Sequence, residues 1–197
     1  MIFGRHKDVP DEIQKVGLKD WYSGLSDTDK VKVGRYIKDS DTSSKLNFSL
    51  SVMKKAGEEE NHYVNVLIGE MILGSQLSTM ERFDVLESVI PSYFGAERYD
   101  ECLKCCNEGI DIIKNNMKTI KQRNNGDLPE TIMCRNYTIN VLVGAKGDYE
   151  AGDAALDRFY ELGLISEEDL AYRKQSHKIH RMQRTFDSVF TLKPKDQ

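Results

Sequence analysis

Four cysteines and four histidines are the residues of this 197-residue chain best equipped for metal or nucleophilic chemistry. Their spacing decides what they can do. Cys102, Cys105 and Cys106 fall within five positions, and Cys134 stands apart. On a helix, positions 102 and 106 hold their Cβ atoms about 5–6 Å apart, whereas a disulfide needs about 3.8 Å. A bridge between them would break the helix, so a reducing, cytoplasmic setting is expected. A metal reading takes Cys102 and Cys106 with Cys134 and one histidine. The C-x-x-C-C run lacks a matching second pair, however, so small packing residues are expected and no metal is assigned. His177 and His180 stand three apart with no Glu or third His at ligand spacing. The chain has no Gly-rich phosphate loop, no H-E-x-x-H and no G-x-S-x-G. No catalytic residue and no cofactor is assigned, and binding is a better expectation than catalysis.

Charge points to two further groups. Tyr172 to Arg184 carries five fixed positive charges and no acid. Within it Arg173, His177, Arg181 and Arg184 step by four and three along one helix face. With Lys174 and Lys178 they form a candidate basic patch for phosphates or an acidic peptide. Lys114, Lys118, Lys121 and Arg123 form a second basic stretch. Against nucleic acid stand the scarcity of aromatic residues beside the charges and a net charge of −4, which excludes a globally basic binder. The other group is Arg135, Asn136 and Asn140, whose two asparagines share a helix face and whose donors suit a partner's carboxylate.

The elements that must position these groups are helical. Hydrophobic residues make up 39% of the chain and prolines number 4, enough for one sizeable core or two small ones. The first residues are charged by Arg5 and never develop the apolar stretch of roughly 7–15 residues that export requires. The most apolar stretch, 64–74, is interrupted by Asn65 and Glu70 and falls short of the roughly 18 residues that span a bilayer. No membrane contact is expected. Apolar positions recur at steps of three and four, and alternating strand patterns are nearly absent. Helices are predicted at 27–38, 43–56, 60–76, 79–93, 97–119, 129–146, 149–162 and 167–191. Ser26 with Asp29, Ser78 with Glu81 and Ser166 with Asp169 are the capping signals. Tyr63, Val66, Leu67, Met71 and Leu73 are the expected buried face of 60–76. Pro91 predicts a kink or an early end, and Pro129 suits a first helical turn. The clearest stripe is Tyr99, Cys102, Leu103, Cys106, Ile110, Ile113 and Met117. Ile179, Met182, Phe186 and Val189 form another. The loop 122–129 marks a soft division near residue 125.

A unit recurs along this helical chain: a helix, a turn containing Gly, an aromatic residue opening the next helix, then small or apolar residues every third or fourth position. Tyr63, Tyr99 and Tyr149 mark it, 36 and 50 residues apart. At these residues the sequence resembles the tetratricopeptide repeat family. Gly147-Asp148-Tyr149-Glu150-Ala151 matches the family's turn, and Gly95 to Cys102 matches it with two extra residues. Cys102 and Gly109 stand at its small positions. The resemblance covers roughly residues 44–162; the family's Trp, Leu and Gly pattern on the first helix of each unit is missing.

The resemblance implies an all-α domain of antiparallel hairpins stacked in a right-handed superhelix, with the tyrosines as wedges between hairpins. Residues 1–42 would form an amino-terminal capping segment, 43–162 the array, and 163–197 a carboxy-terminal capping helix and tail. Trp21 and Tyr22, with Leu18 and Leu25, would cover the open end. It also implies an adaptor or scaffold that binds a partner protein or peptide in a concave groove. The alternative is a nucleic-acid or phosphate-binding protein working through the basic face of 173–184.

Overall fold

The computed structural model describes residues 9–190, with side chains as far as Phe186. Among these residues the chain is all-helical, without a strand. Two short helices, α1 (Asp11–Lys15) and α2 (Lys19–Gly24), precede α3 (Asp27–Ile37), α4 (Lys45–Glu58), α5 (His62–Leu73) and α6 (Thr79–Gly95). Then follow α7 (Tyr99–Arg123), α8 (Met133–Ile139) running into a π-helix (Asn140–Ala145), α9 (Tyr149–Glu161) and α10 (Glu167–Phe190). The fraying expected of the carboxy-terminal tail and the placement of the Val189 side chain lie outside the described residues. The chain divides into two compact units, one ending at Cys105 and the other beginning at Cys106. The division falls inside α7, not in the loop near residue 125.

In the first unit the predicted caps set the helix starts. Ser26 Oγ accepts the Asp29 N–H at 3.1 Å and its hydroxyl donates to Asp29 Oδ2 at 2.6 Å. Ser78 and Glu81 form a complete capping box. Each helix then packs on its sequence neighbour, α4 on α5 and α5 on α6, and on the next but one, α3 on α5 and α4 on α6. The core between them includes Phe48, Val52, Met53, Val64, Ile68, Leu86, Val89 and Ile90, all without exposed surface. A Cβ added at Gly69 would run into Val89, so α5 and α6 approach too closely for any larger residue there. At the amino-terminal end Leu18 and Tyr22 are buried while Trp21 and Leu25 are half-buried, and the Tyr22 hydroxyl reaches the Lys30 carbonyl at 3.4 Å.

Several expectations need correction. The buried residues of α5 are Val64, Asn65, Val66, Ile68, Gly69 and Ile72; of the expected face only Val66 is among them, whereas Tyr63 is 49% exposed and Leu67, Met71 and Leu73 are half-buried. Apolar residues surround this helix, so periodicity alone does not select its inner side. The chain stays helical through Pro91 to Gly95. An interior proline costs about 3 kcal/mol, and burial of a large apolar side chain contributes about 1.5–3 kcal/mol. Val85, Leu86, Val89, Ile90 and Tyr93, all buried, outweigh it together. In the second unit the helix expected from 129 begins only at Met133. Ile132 is 1% exposed and holds an extended backbone, φ −122°, so it serves as a buried anchor ahead of the first turn.

The turns before the three tyrosines do recur. Glu60 (φ 53°), Glu97 (φ 57°) and Gly147 (φ 67°) each take the left-handed conformation two or three residues ahead. The rings do not share surroundings, which corrects the expectation of equivalent wedges. Tyr63 donates to Asp29 Oδ1 at 2.8 Å, with the Lys32 ammonium 4.1 Å from its ring centroid. Tyr99 meets Phe94 edge-on at 5.5 Å, and Tyr149 meets His177 edge-on at 6.0 Å. Each ring faces a different residue type.

The second unit is built on the expected stripe of α7, of which Cys106, Ile110 and Ile113 are buried. The stripe continues to Ile120 beyond a break at Asn116, whose φ of −130° is non-helical. Ile132, Cys134, Val141, Leu156, Phe159 and Leu164 are the buried residues of the later elements. Cys134 lies against Gly109, where a Cβ would not fit.

Candidate binding groove

The carboxy-terminal helices meet through charge. Glu150, Asp153 and Asp157 recur along one face of α9, and Arg181, His177 and Lys174 recur in the opposite order along α10. The pairs are Glu150 with Arg181 at 3.7 Å, Asp153 with His177 at 2.7 Å and Asp157 with Lys174 at 2.6 Å. The reversed order is that of an antiparallel hairpin. In the middle pair the histidine is buried, its side chain 8% exposed, while Asp153 is 42% exposed. An ionised carboxylate only accepts hydrogen bonds, so His177 Nδ1 carries the hydrogen of this contact. Within α10, as far as Phe186, His177 is the one buried side chain.

The end of α8 widens into the π-helix, a conformation often found at functional sites. Its last turn closes through wide-turn bonds five and six residues long: Lys146 N–H to the Val141 carbonyl at 2.9 Å and Asp148 N–H to the Leu142 carbonyl at 2.7 Å. A Cβ at Gly152 would strike Val143, so α9 lies close against this segment. A groove of about 410 Å³ opens between the π-helix and α10. Asn140, Val143 and Gly144 form one wall, and Tyr172, Arg173, Ser176 and His180 the other, with His177 also lining it. This volume lies within the usual range for a small-ligand site, about 300–1,000 Å³. The walls combine apolar surface with an amide, a guanidinium, imidazoles and the Asp169 carboxylate, so acceptor or anionic groups of a short segment suit the side of Asn140 and Arg173.

The structure brings together Asn140, Arg173 and His177 from the two sequence-derived sets. Arg135 and Asn136 are occupied elsewhere. The Arg135 guanidinium donates to the Leu164 carbonyl at 2.7 Å, to the Glu130 carbonyl at 3.5 Å and to Asn136 Oδ1 at 3.2 Å, tying α8 to the turn ahead of α10. Lys174 and Arg181 face α9. Arg184 lies over the Tyr149 ring at 6.0 Å and against Gly147, and Lys178 is exposed away from the groove. Lys114, Lys118, Lys121 and Arg123 are exposed on α7, which contributes no groove wall. Tyr172, Val143 and His180 were not picked out as a binding wall by spacing. The readable signal was the acidic 150–153–157 series, which matches the 174–177–181 series of the following helix.

The four cysteines are buried free thiols, and Cys102 Sγ lies 3.7 Å from the Ile90 carbonyl. Among the described residues no group of three or more His, Cys, Asp or Glu is placed to hold a metal ion. No described helix is long and apolar enough to cross a membrane. No protein-family model, curated protein or solved structure matches the chain.

Proposed function

We propose that this protein is an interaction module that holds a short segment of a partner protein in the groove between the π-helix and α10. The observation that carries the reading is the convergence of Asn140, Arg173 and His180 on one groove that also has apolar surface from Ile139, Val143 and Tyr172 and a single acid, Asp169, at one end of α10. Arg173 and Asn140 recognise an acidic side chain or a free carboxylate, and the apolar walls hold its neighbours. The succession of neighbour and next-but-one helix contacts in the first unit, with left-handed turns ahead of the tyrosines, supports a divergent relative of the tetratricopeptide arrays. The α9 carboxylates opposite Lys174, His177 and Arg181 weigh against a phosphate or nucleic-acid site on that face.

Panning a random-peptide display library on the intact protein tests the proposal. Enriched peptides are expected to share an acidic residue or a free carboxylate. Their recovery is expected to fall at least tenfold with Arg173→Glu and with Asn140→Ala, a loss of about 1.4 kcal/mol. Enrichment that both variants leave unchanged overturns the assignment.

A further inference from the structure

Tyr172, Ile179 and Phe186 recur every seven residues along α10, and Met182 falls three beyond Ile179. This is the a and d spacing of a two-helix seam, with Gln175 at the remaining d position. The seam faces outward: Tyr172 is 73% exposed, Ile179 43%, Met182 47% and Phe186 62%. Amphipathic helices ordinarily bury the apolar side and show the charged one. Here α9 takes the charged side, through Lys174, His177 and Arg181, and the apolar side is left over. The exposed seam runs over 15 residues from Tyr172 to Phe186, about 21 Å for 14 steps of 1.5 Å. Four large apolar side chains in a row mark an interaction surface, unlike apolar residues scattered singly.

The charges beside the seam decide what covers it. From Ala171 to Phe186 the helix carries no acid. Lys178 adjoins Ile179 on one flank, and Arg173 and His180 lie toward the other. Among the described residues no carboxylate pairs with Lys178 or Arg173. Two copies of α10 laid seam to seam with full overlap, Tyr172 opposite Tyr172 or opposite Phe186, would set these cations against cations or against Ser176, Gln183 and Thr185, and neither arrangement supplies a negative partner. An acidic helix supplies one to each flank, and flanking charges set partner choice in two-helix seams. Its carboxylates must face 173–184, because Glu167, Glu168 and Asp169 repel them at the first turn.

We propose that the outward seam of α10 docks an amphipathic helix of a partner protein whose apolar face is flanked by Asp or Glu. This surface adjoins the groove and shares Tyr172, Arg173 and His180 with it, whereas Lys178, Ile179, Met182 and Phe186 lie outside the groove. The probes are two synthetic 21-residue helical peptides with identical apolar seams, one flanked by Glu and the other by Lys, titrated into the intact protein by fluorescence anisotropy. The Glu peptide is expected to bind at least tenfold more tightly. Ile179→Asp and Met182→Asp should abolish its binding while leaving the helical circular dichroism and the groove's peptide recovery unchanged, since both positions are exposed. Lys178→Glu should narrow the preference. Equal affinity for the two peptides, or no binding of the Glu peptide, overturns the proposal. So does a dimer in sedimentation that Ile179→Asp dissolves, which would assign the seam to a second copy of this chain.

Discussion

His177 Nδ1 lies 2.7 Å from Asp153 Oδ1, and this contact joins α10 to α9 at the least exposed point of their interface. Removing the acceptor leaves a buried N–H without a partner, which costs about 1–3 kcal/mol. Asp153→Ala is therefore expected to lower unfolding stability by that amount in urea, and Asp153→Asn, which keeps an oxygen in place, by clearly less. Equal losses for the two variants would show that the hydrogen bond is not what stabilises the hairpin.

Gly152 is where α9 passes the π-helix, and any Cβ there meets Val143. Gly152→Val overpacks this crossing and should destabilise by about 1–3 kcal/mol in thermal denaturation. Val143→Ala should recover part of the loss in the double variant, because the two residues are in contact and their effects do not add.

Pro91 sits inside α6. Pro91→Ala restores a backbone donor, which relieves part of a cost of about 3 kcal/mol, and frees the unfolded chain at an offset of about 0.4–1 kcal/mol. A net gain of about 1–2 kcal/mol is expected in the urea midpoint. A loss would mean that the ring itself is a packing element.

Tyr93 is buried, and burial, the adjacent Cys105 and Glu70 all push its phenol well above the ordinary value near 10. A raised value means that the folded state disfavours the phenolate. Its stabilising contribution is complete below about pH 10 and is lost progressively as pH rises toward the folded value. Stability measured from pH 8 to 11 should therefore fall more steeply in the natural protein than in Tyr93→Phe, whose ring cannot ionise. Parallel curves would locate the alkaline weakness elsewhere.

Much of the helical order is legible in the residues. Ser26, Ser78 and Ser166 are side-chain caps at the places their spacing predicts, and the 102–106–110–113 stripe of α7 is buried. The inner face of α5 is not legible, because a helix apolar on most sides carries no directional signal. Nor is the π-helix, for which Asn140 to Ala145 show no distinguishing composition. The orientation of α10 misleads for a different reason. Its own pattern says that Ile179, Met182 and Phe186 should face inward, and only the acids on α9 reverse that. Asn140 and Arg173 are individually visible as polar candidates, but their meeting depends on helix pairings that neither segment encodes alone.

The way α10 is fastened sets the order in which the second unit comes apart. Exposed ion pairs contribute only about 0–1 kcal/mol each and weaken as salt shortens the screening length to about 3 Å at 1 M. Among the described residues α10 is fastened to α9 chiefly by such pairs, the buried His177 and the Tyr149 ring against His177 and Arg184, and it behaves as a latch that lifts before the rest of the unit yields. Its backbone amides should exchange with deuterium ahead of those of α9, and sooner still in concentrated salt.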